Sequence, residues 1–550
     1  MDSPSSTQTD TEVLIVGAGP VGLTLAVALG RLGIRCMLIE RAEKGGILPK
    51  MDLSNPRTME IFGRLGLADK IRQTGWPLDA RFDVYVGPSL REEPYKVLSY
   101  PSINEMQWQI AQCFDGSMPR EPYERISQYN LEALLRREAE AIEHVSVHFG
   151  KELIALQKGV DDVRATVRTF DGQTEELRAS YLVGCDGGNS TVRRLLDIPL
   201  SGRSAVSRMF MIFFRCPKLL EQAGLPPFRH YYLAGKRQAT LVAQDDLKRW
   251  SLHVQIAADT DVSKLDPRVE LREALGLDLD VELLYVGAWT PHLVVADRYS
   301  KGRVFMVGDA VHQYIPTGGF GMNTGIAEAD NLAWKLAAVL RGWGGARLLD
   351  SYHDERQPVA VRNCKAAAYA AEGGAAWRSL YSPLVVEKTK EGLQAWEWLA
   401  QAVDQYQRRS HEQKGIELGY RYVGSPICFD EAGSLPDPDS RLYQPTAAPG
   451  ARLPHAWLQP GVSVHDRIGF GMTLLGLDAK PAHIAAFEKA GRDLRLPLDM
   501  VLVNGRPDLR SLYGARLLLL RPDLHVAWRG DLADAPEKIL SVSTGSAQAT

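Results

Sequence analysis

The stretch TEVLIVGAGPVGLTLAVALGRLGIRCMLIER, Thr11 to Arg41, constrains this chain more than any other. Val13 to Val16 reads as a short buried strand, and Gly17, Gly19 and Gly22 follow at GxGxxG spacing ahead of an apolar helix. The three glycines serve different ends, which are a tight turn, close backbone approach to a pyrophosphate, and close helix–strand packing. A second strand, Cys36 to Ile39, ends in Glu40, placed to accept hydrogen bonds from a ribose. The unit predicts an adenine dinucleotide site at a helix N-terminus, and by itself does not separate FAD from NAD.

Composition narrows the partners. A chain of 550 residues needs two to four hydrophobic cores. Its 64 Lys and Arg against 67 Asp and Glu give no basic face for nucleic acid. Six scattered cysteines without a CxxC pair predict idle thiols in a reducing compartment, with no metal site. The opening MDSPSSTQTD lacks a positive n-region, and Gly17, Gly19, Pro20 and Gly22 break up the apolar run from Val13 to Leu29. A soluble cytoplasmic protein, without a membrane partner, is the expectation.

Two further segments repeat the strand–glycine–acid plan. ASYLVGCDGGNSTVRRLLDI carries a strand, Tyr181 to Val183, that breaks at Gly184 before Asp186-Gly187. SKGRVFMVGDAVHQYIPTGGFGMNTG carries a strand, Gly308-Asp309 and a glycine-rich turn. An amphipathic helix follows, with Ile326, Leu332, Leu336 and Val339 at helical intervals. With NPRTMEIFGRLGL (Asn55 to Leu67) and ERISQYNLEALLRREA, these segments resemble the single-component flavin-dependent aromatic hydroxylases, the FAD monooxygenases related to p-hydroxybenzoate and phenol hydroxylases.

The resemblance implies an α/β fold: a Rossmann-like FAD-binding domain, an inserted β-sheet substrate domain and a thioredoxin-like C-terminal domain. The expected boundaries are 11–75, 125–202 and 297–370 for FAD; 76–124 and 203–296 for substrate; 371–445 for a helical bridge; and 446–550 for the last domain. That last stretch contains no cysteine, so a structural or dimer-forming role replaces a redox one. Period-two runs such as MFMIFFRC, RHYYLA and RWSLHVQIA predict a sheet with one buried face. Trp250, His253, Tyr232 and His230 on those strands would line an aromatic cleft.

By the same resemblance Asp309 anchors the ribityl chain of FAD, or else caps the following helix. Met322 and Asn323 lie at the flavin edge, Glu40 and Arg41 on the adenosine half, and Gln128 on the pyrophosphate or ribityl chain. Lys50 stands where many relatives have arginine, keeping the charge without the two-pronged geometry. Asp186 is either a cofactor contact or a strand-end turn residue. Asp52, five residues before Arg57, matches a carboxylate that activates phenol in phenol hydroxylase; as a base it needs burial to raise its pKa, and otherwise it is a turn residue or cap. The implied activity is hydroxylation of a small phenolic ring by O₂ through a flavin hydroperoxide. NADPH or NADH visits as a transient reductant, and the enzyme is a homodimer. A polyketide- or quinone-tailoring enzyme, hydroxylating or inserting oxygen beside a ketone, is the alternative. A GDP-dissociation-inhibitor type of binding protein is disfavoured by the Gly308-Asp309 turn.

Overall fold

The computed structural model describes residues 9–433 and 435–548. The reading of the first ten residues as free of a targeting signal therefore falls mostly outside the described residues. Five parallel strands form the central sheet, in the order Val304–Met306, Thr174–Gly184, Thr11–Val16, Cys36–Glu40 and Val145–Phe149. Val13, Ile15, Leu38, Ile39, Val183 and Met306 are all fully buried, as strands covered on both faces require. Thr174–Gly184 is longer than predicted because its first half pairs antiparallel with Val163–Thr169 and alternates between buried and open positions. Helices Pro20–Arg31 and Phe320–Leu340 pack closely, with a Cβ on Gly325 falling 2.7 Å from Val21. The second of these helices starts at Phe320, inside the glycine-rich turn rather than after it.

The second sheet has seven strands: Glu282–Trp289, Arg208–Arg215, Arg249–Ile256, Gln238–Ala243, His230–Ala234, Val84–Gly87 and Lys96–Leu98. Its register sorts the side chains into two faces. Tyr231, Leu241, Leu252 and Ile212 lie side by side across four strands and are fully buried. Tyr232, Thr240, His253 and Met211 lie side by side on the other face. Trp250, expected in the cleft, belongs to the core face: it is fully buried, and its Nε1–H donates to the Cys216 carbonyl at 3.1 Å.

The C-terminal unit runs strand, helix, strand, helix, strand, strand, helix from Met472 to Ser543. Its sheet order is Leu498–Val503, Met472–Leu477, Leu517–Leu520, Val526–Gly530, the first pair parallel and the rest antiparallel, which is the thioredoxin arrangement. Buried ion pairs hold it to the rest of the chain. Arg452 is bonded to Glu60, in helix Pro56–Arg64. Arg521 donates to Glu355 at 2.5 and 2.9 Å, and Glu355 also receives Lys335 at 2.7 Å. Burial alone would raise the carboxyls of Glu60 and Glu355, yet Arg452 on the first, and Arg521 with Lys335 on the second, hold both at about 2. One helix, Ser351–Arg378, leads out of the central body into the region of Lys390–Gln407 and Lys414–Leu418. Among the described residues no helix is long and apolar enough to cross a membrane.

Candidate active site

The three glycine turns meet at the carboxyl ends of the parallel strands, where open α/β sheets bind ligands. Gly17 has φ +111°, and a Cβ on it would lie 2.4 Å from the Cys185 carbonyl oxygen. A Cβ on Gly22 would lie 2.1 Å from the Gly17 carbonyl oxygen. Gly19 is different: it caps helix Pro20–Arg31 without a side-chain cap, and a Cβ there would meet nothing within 4 Å. Two glycines are thus fixed by protein packing, while the third faces open space at a helix N-terminus. Glu40 accepts the N–H groups of Ala18 and Ala42, both at 2.9 Å, so its carboxylate lies against the glycine loop. Arg41 is exposed beside it.

Asp186 serves the turn. It accepts the Ser190 hydroxyl at 2.5 Å and the Thr191 and Val192 N–H groups at 2.6 and 3.1 Å, fastening the start of helix Thr191–Leu195. Asp309 contrasts with it. Its own backbone turn is braced by Gly308 N–H donating to Glu328 at 2.8 Å and by Arg193 donating to the Ala310 carbonyl at 2.8 Å. Its carboxylate, however, accepts a hydrogen bond from no described residue. Oδ1 lies 3.9 Å from the Cβ position of Gly321, facing the start of helix Phe320–Leu340. That helix is capped by Gly319, with φ +70°, so Asp309 is not its cap. Desolvation by its surroundings raises the Asp309 carboxyl, although its side chain is open to solvent, while His312 and Lys50 pull it down.

Lys50 is exposed and also pulls down the buried-raised carboxyl of Glu132, which accepts Gln128 Nε2–H at 2.7 Å. Met322 is half-buried against the central core. Asn323 is a brace: it donates to the carbonyls of Leu53 and Gly319 at 2.9 and 2.6 Å and accepts Asn55 N–H at 2.9 Å. Its side chain is fully engaged with the protein.

Asp52 is neither turn residue nor cap; Asn55 caps helix Pro56–Arg64 by accepting Thr58 N–H. Asp52 Oδ2 lies 2.9 Å from Arg125 Nε and Nη2 and 3.5 Å from His230 Nε2. Burial would raise its carboxyl, but Arg125, then His230, outweigh that and hold it well below the usual range. Asp52 is thus clamped by Arg125, which favours the ionised carboxylate and opposes the raised pKa that a base role requires. Leu53 lies 3.5 Å from the Cβ position of Gly319, which joins Asp52 to the glycine-rich turn.

Facing Asp52 is a polar, aromatic floor. The ring of His411 lies 5.9 Å from His230, 6.1 Å from Tyr232 and 5.7 Å from Tyr100. Tyr123 donates its hydroxyl to Glu417 at 2.5 Å. Burial lowers His230 to about 4, pushes His411 well below its ordinary value, and lifts Glu417 to about 7. His253, on the same sheet face, packs edge-on against Trp289 at 5.9 Å. Sequence reasoning missed Arg125, Arg229, His411 and Glu417. Arg229 opens the RHYYLA run, where alternation drew attention away from its charge. His411 and Glu417 have no local signal, because long-range contacts place their segment: Ile416 packs with Phe320 and Leu293, and Arg362 donates to the Gly415 and Ile416 carbonyls.

The fold and its convergent glycine turns define a dinucleotide-binding enzyme. Residues 10–367 match the FAD binding domain family and residues 446–545 the C-terminal domain of aromatic-ring hydroxylases, and the chain belongs to this family of FAD-dependent monooxygenases. It is 33% identical over 570 residues to the FAD-dependent monooxygenase apdD of Emericella nidulans, covering 97% of this chain and 90% of that one. It is 32% identical to a 4-methyl-5-nitrocatechol 5-monooxygenase of a Burkholderia species, covering 98% of each. The flavin-dependent monooxygenase PieE, solved with FAD and substrate, superposes with a TM-score of 0.86 at 29% identity, covering 98% of this chain and 99% of that one.

Proposed function

We propose that the chain is an NAD(P)H-dependent monooxygenase that hydroxylates a phenolic aromatic ring. One observation carries this reading: Asp309, which accepts no hydrogen bond from a described residue, and the helix start at Phe320 are linked to the Asp52–His230 pair through Leu53 and Asn323. The central sheet then carries the cofactor, the seven-stranded sheet carries the substrate, and the C-terminal unit braces the body. Glu40 holds the adenosine ribose with Arg41 beside it. The helix start at Gly19 receives the pyrophosphate, with Gln128 and Lys50 on its flank, and Asp309 holds a ribityl hydroxyl. These residues fit FAD, since a free acceptor and unobstructed N–H groups stand where a polyol and an anionic ring need them. When bound, the flavin supplies the redox chemistry: two electrons from NAD(P)H, activation of O₂ as a hydroperoxide, one oxygen atom to the ring and one to water.

The chain's own part is to orient the ring, exclude water and stabilise charge on the substrate oxygen. We also read the enzyme as a cytoplasmic homodimer. Its six cysteines are all free thiols, and Leu384, Val386, Leu393 and Trp398 are exposed apolar side chains. The test is to screen phenols for stimulated NAD(P)H oxidation and for a product heavier by one oxygen atom. Protein that cannot be loaded with FAD would overturn the whole reading, and FAD-loaded protein indifferent to every phenol would overturn the substrate class.

A further inference from the structure

Arg229 is the unexplained charge in the cleft. It is 8% exposed, and its guanidinium makes no hydrogen bond or ion pair with any described residue; the Phe82 ring, 6.0 Å away, is its neighbour. Its Nε is buried without a partner. The backbone is pinned on both sides, Arg229 N–H donating to the Asp83 carbonyl and its own carbonyl accepting Arg125, each at 2.8 Å. Buried arginines are almost always paired, because an unsatisfied charge away from water is costly.

The neighbouring acids do not supply the pair. Asp52 is taken by Arg125. Glu417 is engaged by the Tyr123 hydroxyl, and burial raises its carboxyl. Arg125 lowers the Asp52 carboxyl, and burial lowers both His230 and His411. Both ring nitrogens of His411 are buried without partners, so one N–H can be donated. The cleft offers positive charge and a donor that no described residue partners.

We propose that Arg229, with His411 beside it, is an oxyanion subsite that takes the substrate as a ready-formed anion, so that the substrate class is an acidic phenol or enol. The proposal rests on the hydroxylase reading and narrows its substrate. The substrate's proton is left in solvent, and the anion enters with its oxygen on Arg229, which is electron-rich at the ring positions that oxygen attacks.

The probe is para-nitrophenol, whose anion absorbs visible light, titrated into FAD-loaded protein buffered about one unit below the probe's solution pKa. The bound probe should show the anion's spectrum, and para-nitroanisole, which cannot ionise, should bind at least about tenfold more weakly. Arg229→Met should lose the anion's spectrum and about tenfold in affinity, Arg229→Lys should keep part of both, and His411→Phe should lose about threefold. Flavin content and melting temperature report whether each variant is folded, and the wild-type spectrum decides the matter even if Arg229→Met fails. A neutral bound probe, or an ether bound as tightly as the phenol, would overturn the proposal. If phenols are oxygenated while para-nitrophenol binds neutral, only this inference fails; if no phenol is oxygenated, the hydroxylase reading fails with it.

Discussion

Asp309 and Asp52 are two aspartates in one cleft with opposite environments. Asp309 has no donor from the described residues, and Asp52 is clamped by Arg125. Asp309→Ala should therefore weaken FAD binding by about 1.5–3 kcal/mol, read as flavin retained per chain after dialysis; full retention would remove Asp309 from the cofactor site. For Asp52→Asn the sign is diagnostic. Arg125 keeps its backbone acceptors at Arg229 and Ala243, so the protein should still fold and hold FAD. Its charge would no longer be balanced, so an anionic phenol should bind a few-fold tighter. A base at Asp52 predicts instead lost product, restored as pH approaches the phenol's pKa. The place of Asp309 in the turn was legible because Gly-Asp before a glycine-rich run is a local pattern. The partner of Asp52 was not, lying 73 residues away and brought in by the Leu53–Arg125 pairing.

The glycine turn can be dissected element by element. Gly22→Ala would place a Cβ on the Gly17 carbonyl, forcing the helix from the strand, so the melting temperature should fall whether or not flavin is present. Gly19→Ala meets no protein atom, so the apoprotein's melting temperature should hold while FAD affinity drops by about tenfold or more. Equal effects from the two substitutions would deny Gly19 its place at the pyrophosphate. Strand, turn and helix were readable here because each signal is contained in about thirty residues. The seven-stranded sheet was readable as alternation, but its cleft face needed the register: Trp250 and His253 are three residues apart and point to opposite sides.

Across the whole molecule, the C-terminal unit is held by charges buried at its boundary with the central body. Deleting residues from Pro449 removes Arg452 from Glu60 and Arg521 from Glu355, leaving Glu355 with Lys335. The truncated chain should lose folded, flavin-binding protein outright, at a cost of about 3–5 kcal/mol for each broken pair; a truncated chain that stays folded and yellow would refute the bracing role. The same pairs set the acid limit. Their folded pKa values are depressed to about 2 from an ordinary 4.5, so their stabilisation is complete above about pH 4.5 and is lost as pH falls towards 2. Melting temperature should drop steeply across that window. No local pattern reveals these contacts, since Glu60 and Arg452 are 392 residues apart. The central claim, that this chain puts oxygen from O₂ onto a phenolic ring, is tested most directly by turnover of FAD-loaded enzyme with NAD(P)H and an acidic phenol under ¹⁸O₂. The account predicts one labelled oxygen per product and one NAD(P)H consumed for it; oxygen drawn from water, or NAD(P)H oxidised with no label in the ring, would contradict it.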